Sequence, residues 1–262
     1  MRLTSGARNA LIALGAVVAL VLGAGIVWAV GREGDSGTLA KATETTATTA
    51  AAVELDESTI ATTTGAPIDV YTEPVAGSAV QTTLSPITEY QIPRTMLVID
   101  EQPAEADAPE WLQVLLPMRP NGSTGWIEAS SVTLSTTTYE IRIELGAHKL
   151  TLLNDDEVVF ETQTVNGKES TPTPLGQYYV TDPVDLQDRP TGAYGAYALG
   201  ISGYSDVLLE FNGGPGQIAV HGTTETSLLG QDASNGCIRV DNESILQIAN
   251  AVPVGTPVTI VA

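Results

Sequence analysis

Cys237 is the only cysteine in the chain, and it stands in the run Ser234-Asn235-Gly236-Cys237-Ile238-Arg239, sixteen positions after His221. A thiol with no second cysteine cannot close an internal disulfide, so its reactivity becomes the question. The nucleophilic form is the thiolate, and a neighbouring imidazole is one of the few groups that can generate it near neutral pH. Acyl chemistry at a cysteine needs a base, a group that fixes the base, and donors for the oxyanion of the tetrahedral intermediate. His221 is the candidate base. Gly222 after it and Gly236 before the thiol allow close approach of backbone or substrate. The backbone amides around Cys237 and the side chains of Asn235 and Ser234 are candidate donors. Each residue alone also has an ordinary reading: a single Cys as a small buried hydrophobe, a single His as a structural hydrogen-bonding group.

These side chains need elements to hold them. Ile218-Ala219-Val220 reads as a strand that presents His221 at its end. Residues 139–145 alternate Ile141, Ile143 and Leu145 with Glu140, Arg142 and Glu144, the period of a half-buried strand. Residues 148–153 and 158–164 flank Asn154-Asp155-Asp156, a hairpin turn, and 176–180 and 217–220 read as further strands. One short helix is expected, capped by Asp241, carrying Ile245, Leu246, Ile248 and Ala249, and ending before Pro253. Residues 257–261 form a closing strand. The other histidine, His148, falls in a turn as a surface residue. With two histidines and one cysteine no metal-ligand cluster arises, so neither metal nor cofactor is expected.

Upstream, residues 10–31 carry no charge, with Arg2 and Arg8 before them and Arg32, Glu33 and Asp35 after. That length spans a bilayer as a helix and exceeds the apolar region of a usual signal peptide. The expectation is a transmembrane anchor with residues 1–9 cytoplasmic and everything after Arg32 outside the cell membrane. A cleaved signal, which would leave the protein secreted to the cell wall, is the alternative. Residues 32–64 are rich in Thr, Ala and acidic side chains and read as a disordered linker. From 65 to 136, short apolar runs at 68–71, 90–92, 96–99, 111–116 and 125–127 are punctuated by prolines, which predicts a small β-barrel domain. A Thr-rich joint at 136–138 leads to the third region, 139–262. The fold class is therefore mainly β. Thirty-one acidic residues against 11 basic give a net charge of -20, which excludes nucleic acid as a partner.

The stretch Ile218-Ala219-Val220-His221-Gly222-Thr223, then Leu229-Gly230, then Ser234 to Val240, resembles the signature of the L,D-transpeptidase catalytic (YkuD) domain. Thr173-Pro174-Leu175-Gly176, Tyr197-Ala198-Leu199-Gly200 and Asn212-Gly213-Gly214-Pro215-Gly216 match the same pattern. The resemblance implies a β-rich catalytic domain over 139–262, with Cys237 as nucleophile, His221 as general base and acid, and the Gly222 carbonyl orienting the imidazole. Gly236, Asn235, Ser234 and Arg239 would serve the oxyanion or the substrate; Arg239 has a structural salt bridge as its other reading. Asn235 stands where the family commonly has His, which puts its role in question and leaves that of Cys237 untouched. The implied activity is cross-linking of the third residues of peptidoglycan stem peptides through a cysteine thioester, in cell wall biogenesis, with carbapenem-type β-lactams as inhibitors. The alternatives are an L,D-carboxypeptidase that trims tetrapeptide stems and an inactive wall-binding scaffold. Residues 111–127 resemble more loosely the closing hairpin of bacterial SH3-like domains, and an irregular β spacer is the other reading of that region.

Overall fold

Short runs in which buried and exposed side chains alternate build most of this protein, and in the computed structural model, which describes residues 57–104 and 110–262, they assemble into two sheets. The first holds β1 (Ser58–Thr63), β2 (Ile68–Tyr71), β3 (Val80–Leu84), β4 (Thr95–Gln102), β5 (Trp111–Leu115), β6 (Thr124–Glu128) and β7 (Val132–Thr137), in the order β3-β2-β6-β5-β4-β1-β7. Every pairing in it is antiparallel. Its inner face buries Ala61, Ile68, Val70, Met96, Leu112, Val114 and Ile127.

Two expectations fail here. The linker expected to run to residue 64 ends earlier, because β1 pairs with both β4 and β7 and buries Ile60 and Ala61. The Thr-rich joint is no joint: Thr136 and Thr137 belong to β7, where they pair with Thr59 and Ser58. Threonine suits a pleated ladder as well as a solvated linker, and pairing decides between them. The run at 90–92 is a turn, with Gln91 at φ +63°. The 10–31 span and the linker up to residue 56 lie outside the described residues. Among the described residues, no helix is long and apolar enough to cross a membrane.

The second sheet follows after Thr138. It comprises β8 (Tyr139–Glu144), β9 (Lys149–Asn154), β10 (Glu157–Gln163), β12 (Gly176–Asp185), β13 (Tyr197–Tyr204), β14 (Gln217–Thr223), β16 (Ile238–Asp241) and β17 (Pro257–Val261), in the order β10-β9-β8-β17-β12-β13-β14-β16. Between these, β11 (Asn166–Gly167) and β15 (Asp232–Ser234) form a small parallel pair. Asp155 and Asp156, both at positive φ, make the two-residue turn between β9 and β10, the backbone sense that matches strand twist. The only α-helix among the described residues, α1 (Asn242–Ala251), starts where Asp241 accepts a hydrogen bond from Ser244 N at 2.9 Å. It buries Ile245 and Ile248 against Val220, Ile238 and Val240.

Strand β12 serves both cores. Tyr178 packs with the second sheet, while Tyr179, next along the strand and pointing the other way, is fully buried with the first. The described residues accordingly fall in one compact unit.

Candidate active site

Period-two alternation decides where the reactive side chains go. Ile218 and Val220 on β14 and Ile238 and Val240 on β16 point into the core. Residues between them therefore share the opposite face. The two strands are parallel, with Val220 opposite Ile238 and His221 opposite Arg239. Cys237, one step before Ile238, thus lies beside Ala219, on the face of His221 and Arg239. His221, Cys237, Asn235 and Arg239 line one pocket together with Tyr194, Ser205, Leu208 and Phe211.

The imidazole is held by the main chain. Its Nδ1 lies 2.8 Å from the carbonyl oxygen of Gly222, and donating there leaves Nε2 as the acceptor. Gly222 cannot carry a side chain: a Cβ would collide with Asn242 Oδ1 and come within 3.0 Å of Ile245. The ring of Tyr194 stands edge-on to His221 at 5.0 Å between centroids, and the histidine is only 2% exposed. Burial therefore lowers its pKa to about 4, the Gly222 and Tyr194 carbonyls opposing and the Arg239 charge adding to the fall. Burial also pushes the Cys237 thiol above its ordinary value, against the main chain of Ala219 and the Arg239 charge. At neutral pH the resting pair is consequently uncharged, thiol beside neutral imidazole.

The turn carrying the thiol has its own fastenings. Ser234 is fully buried; its hydroxyl donates to the Cys237 carbonyl at 2.6 Å and accepts from Gly236 N at 3.1 Å. Both groups are spent on the turn, so the oxyanion role expected of Ser234 and of the Gly236 amide does not fit this geometry. Gly236 itself sits at φ +120°, where a side chain would be strained. Its carbonyl accepts from Thr173 Oγ1 at 2.8 Å, and Thr173 in turn accepts from Gly167 N. Asn235, half-buried, is among the residues that line the pocket. Arg239 pairs with Glu225 at 3.4 Å, the structural ion pair expected as its other reading, and it is also among the residues that line the pocket.

Sequence reasoning missed Tyr194 and Asn242. Asn242 Oδ1 accepts from Ala196 N and its Nδ2 donates to Pro190 O, tying down the segment that carries Tyr194. Neither residue has a local signal, since both act across the fold. Thr173 was within reach, at the head of the Thr-Pro-Leu-Gly run. His148, expected at the surface, is half-buried, at φ +48°, with its Nε2 3.0 Å from Asp232.

A thiol and a neutral imidazole in one β-walled pocket are the parts of a cysteine acyl-transfer centre. Residues 138–260 match the family model of the L,D-transpeptidase catalytic domain, YkuD. A Bacillus licheniformis protein assigned as the L,D-transpeptidase YkuD is 30% identical over 178 residues, which take in 63% of this chain and 99% of that protein. The chain belongs to the L,D-transpeptidase (YkuD) family. The Bacillus subtilis YkuD is 34% identical over 122 residues, 47% of this chain and 65% of the relative's length. Among solved structures, L,D-transpeptidase 3 of Mycobacterium tuberculosis with a faropenem-derived adduct is 16% identical, over 63% of this chain and 98% of that one, at a TM-score of 0.39. The assignment rests on the sequence relatives.

Proposed function

We propose that this protein is a cysteine-dependent peptidoglycan L,D-transpeptidase. The carrying observation is that Cys237 and His221 line one pocket on one sheet face, with the imidazole held through Nδ1 on the Gly222 carbonyl. Cys237 attacks the carbonyl that follows the L-centre of the diamino acid in a tetrapeptide stem. Because thiol and imidazole rest uncharged, the proton passes from sulfur to Nε2 as the S–C bond forms. The imidazolium then protonates the leaving amine as the C–N bond breaks, releasing the terminal D-alanine and leaving a thioester. The side-chain amine of a second stem attacks the thioester and His221 takes its proton; the C–S bond then breaks, that proton returns to the Cys237 sulfur, and the product is a cross-link between third residues. Asn235, which lines the pocket next to the Gly236-Cys237 turn, is the side-chain donor assigned to the oxyanion in this reading.

Water in place of the second amine would give the carboxypeptidase outcome. The assay is incubation of the chain with disaccharide tetrapeptides, read by mass spectrometry for dimers joined through third residues. Dimer yield unchanged by Cys237→Ala would sink the nucleophile, and unchanged by His221→Ala would sink the base. Carbapenem-type β-lactams are expected to add to Cys237, with a mass increase absent from Cys237→Ala. The uncharged stretch 10–31 and its basic flank support an anchored protein with its catalytic residues outside the membrane. Protection of residues 57–262 from protease added outside spheroplasts would refute that placement.

A further inference from the structure

One wall of the Cys237 pocket comes from the segment between β13 and β14, through Ser205, Leu208, Phe211, Asn212 and Gly216. The segment forms no regular ladder. Ser205 N bonds Gly216 O at 2.8 Å, Phe211 and Gly214 bond each other, and the Ser205 hydroxyl accepts from Val207 N and Leu208 N.

What gathers its two ends is a side chain of the other sheet. Arg119, in the turn between β5 and β6, donates from Nη1 to Pro215 O at 2.9 Å and from Nη2 to Ser205 O at 2.9 Å and Leu208 O at 3.1 Å. Its guanidinium lies 4.9 Å over the ring of Tyr204. Asn121 of the same turn donates to Tyr204 O and accepts from Tyr204 N, and the Tyr204 hydroxyl donates to Pro117 O. Gly216 makes the convergence possible: at φ +71°, a Cβ there would strike Leu208 O and approach Arg119 Nη2 to 3.2 Å. A planar fork of several donors can serve three carbonyls at once, whereas a lysine ammonium is a single point.

We propose that Arg119 is a positioning residue: by gathering the Ser205, Leu208 and Pro215 carbonyls it fixes the pocket wall against which the substrate peptide lies. The first sheet thereby governs productive binding without reaching the reacting atoms. The part concerning substrate rests on the transpeptidase reading above. Arg119 bonds the main chain of the wall itself, at both ends, which distinguishes this role from a general fastening of sheet to sheet.

The test compares the 262-residue chain with its Arg119→Met and Arg119→Lys variants. In Arg119→Met, amide exchange of residues 205–216 should rise about tenfold or more, as expected for the loss of several charge-assisted hydrogen bonds, with β8 and β9 unchanged as the check on folding. Alkylation of Cys237 by iodoacetamide, which needs no wall, should stay within about twofold. KM for the tetrapeptide should rise about tenfold with kcat changed far less, and Arg119→Lys should recover part of the loss. Unchanged exchange in 205–216, unchanged KM, or a fall in alkylation as large as the rise in KM would overturn the proposal. Exchange and alkylation require no turnover, so a wild-type chain that leaves the tetrapeptide intact counts against the transpeptidase reading while the exchange result still decides the clamp.

Discussion

The first sheet is antiparallel throughout, while the second contains two parallel pairs, β14 with β16 and β17 with β8. Cys237 and His221 sit at the first of these. Antiparallel neighbours can be joined by tight turns, as β9 and β10 are by Asp155-Asp156, and such a turn has little chain to spare. A parallel pair needs a crossover, and between β14 and β16 that crossover is residues 224–237. It brings Cys237 back beside Ala219 and leaves Ser234 to Cys237 as a turn leading into the sheet's edge strand, with Asn235 and Cys237 lining the pocket. Among the described residues, the antiparallel sheet contributes none to the lining of the Cys237 pocket, and the parallel pair brings two residues distant in sequence onto one face.

That division of labour can be broken experimentally. The largest effect expected is loss of cross-linking by about a thousandfold or more in Cys237→Ala and in His221→Ala, with thermal midpoints close to wild type. Equal losses of stability would mean that the pair is structural. Trp111→Ala, in the first sheet, should do the reverse. Trp111 is 1% exposed and meets Tyr71 edge-on at 5.3 Å. Its truncation should cost about 3–5 kcal/mol in denaturant unfolding, while the folded fraction alkylates at Cys237 at the wild-type rate.

Acid sharpens the contrast next. His221 binds a proton at about pH 4 when folded and near 6.5 when unfolded, so between those values the unfolded chain takes up a proton that the native state refuses. Stability tied to His221 is intact above pH 6.5, declines as pH falls, and is lost by about pH 4, at a cost on the order of 3 kcal/mol. Unfolding curves at pH 7 and pH 4 for wild type and His221→Gln should differ by that amount. By the same logic the acid limb of kcat/KM should lie well below pH 6.5, and Tyr194→Ala, which uncovers the imidazole, should move it upward. The smallest effect belongs to the helix start: Asp241→Ala, which removes the cap on Ser244 N, should cost about 1 kcal/mol in chemical denaturation.

The two regions were also unequally legible. In the second, the Asp155-Asp156 turn, the cap at Asp241 and the closing strand at Pro257–Val261 follow local rules and could be read directly. Strand β13 could not, because Gly200 and Gly203 argue against a strand by propensity. They are there for space, since a Cβ at Gly203 would press on the Tyr178 ring. In the first, β1 was hidden by its Thr-rich composition and owes its conformation to partners far along the chain. At the site, Cys237, His221 and Gly222 were visible as a motif. Ser234 was legible as a residue, and only the folded turn shows its hydroxyl bonded to Cys237 O and Gly236 N.

Strand β12 has a consequence for how the molecule comes apart. Tyr178 and Tyr179 are consecutive, yet each is sealed in a different core, so neither sheet can melt without stripping one face of a strand the other depends on. Heat or denaturant should therefore give one sigmoidal transition, with probes at Trp111 and at Cys237 changing together. Cutting the chain between β7 and β8 would leave Tyr179 uncovered on the second sheet, a surface inviting aggregation.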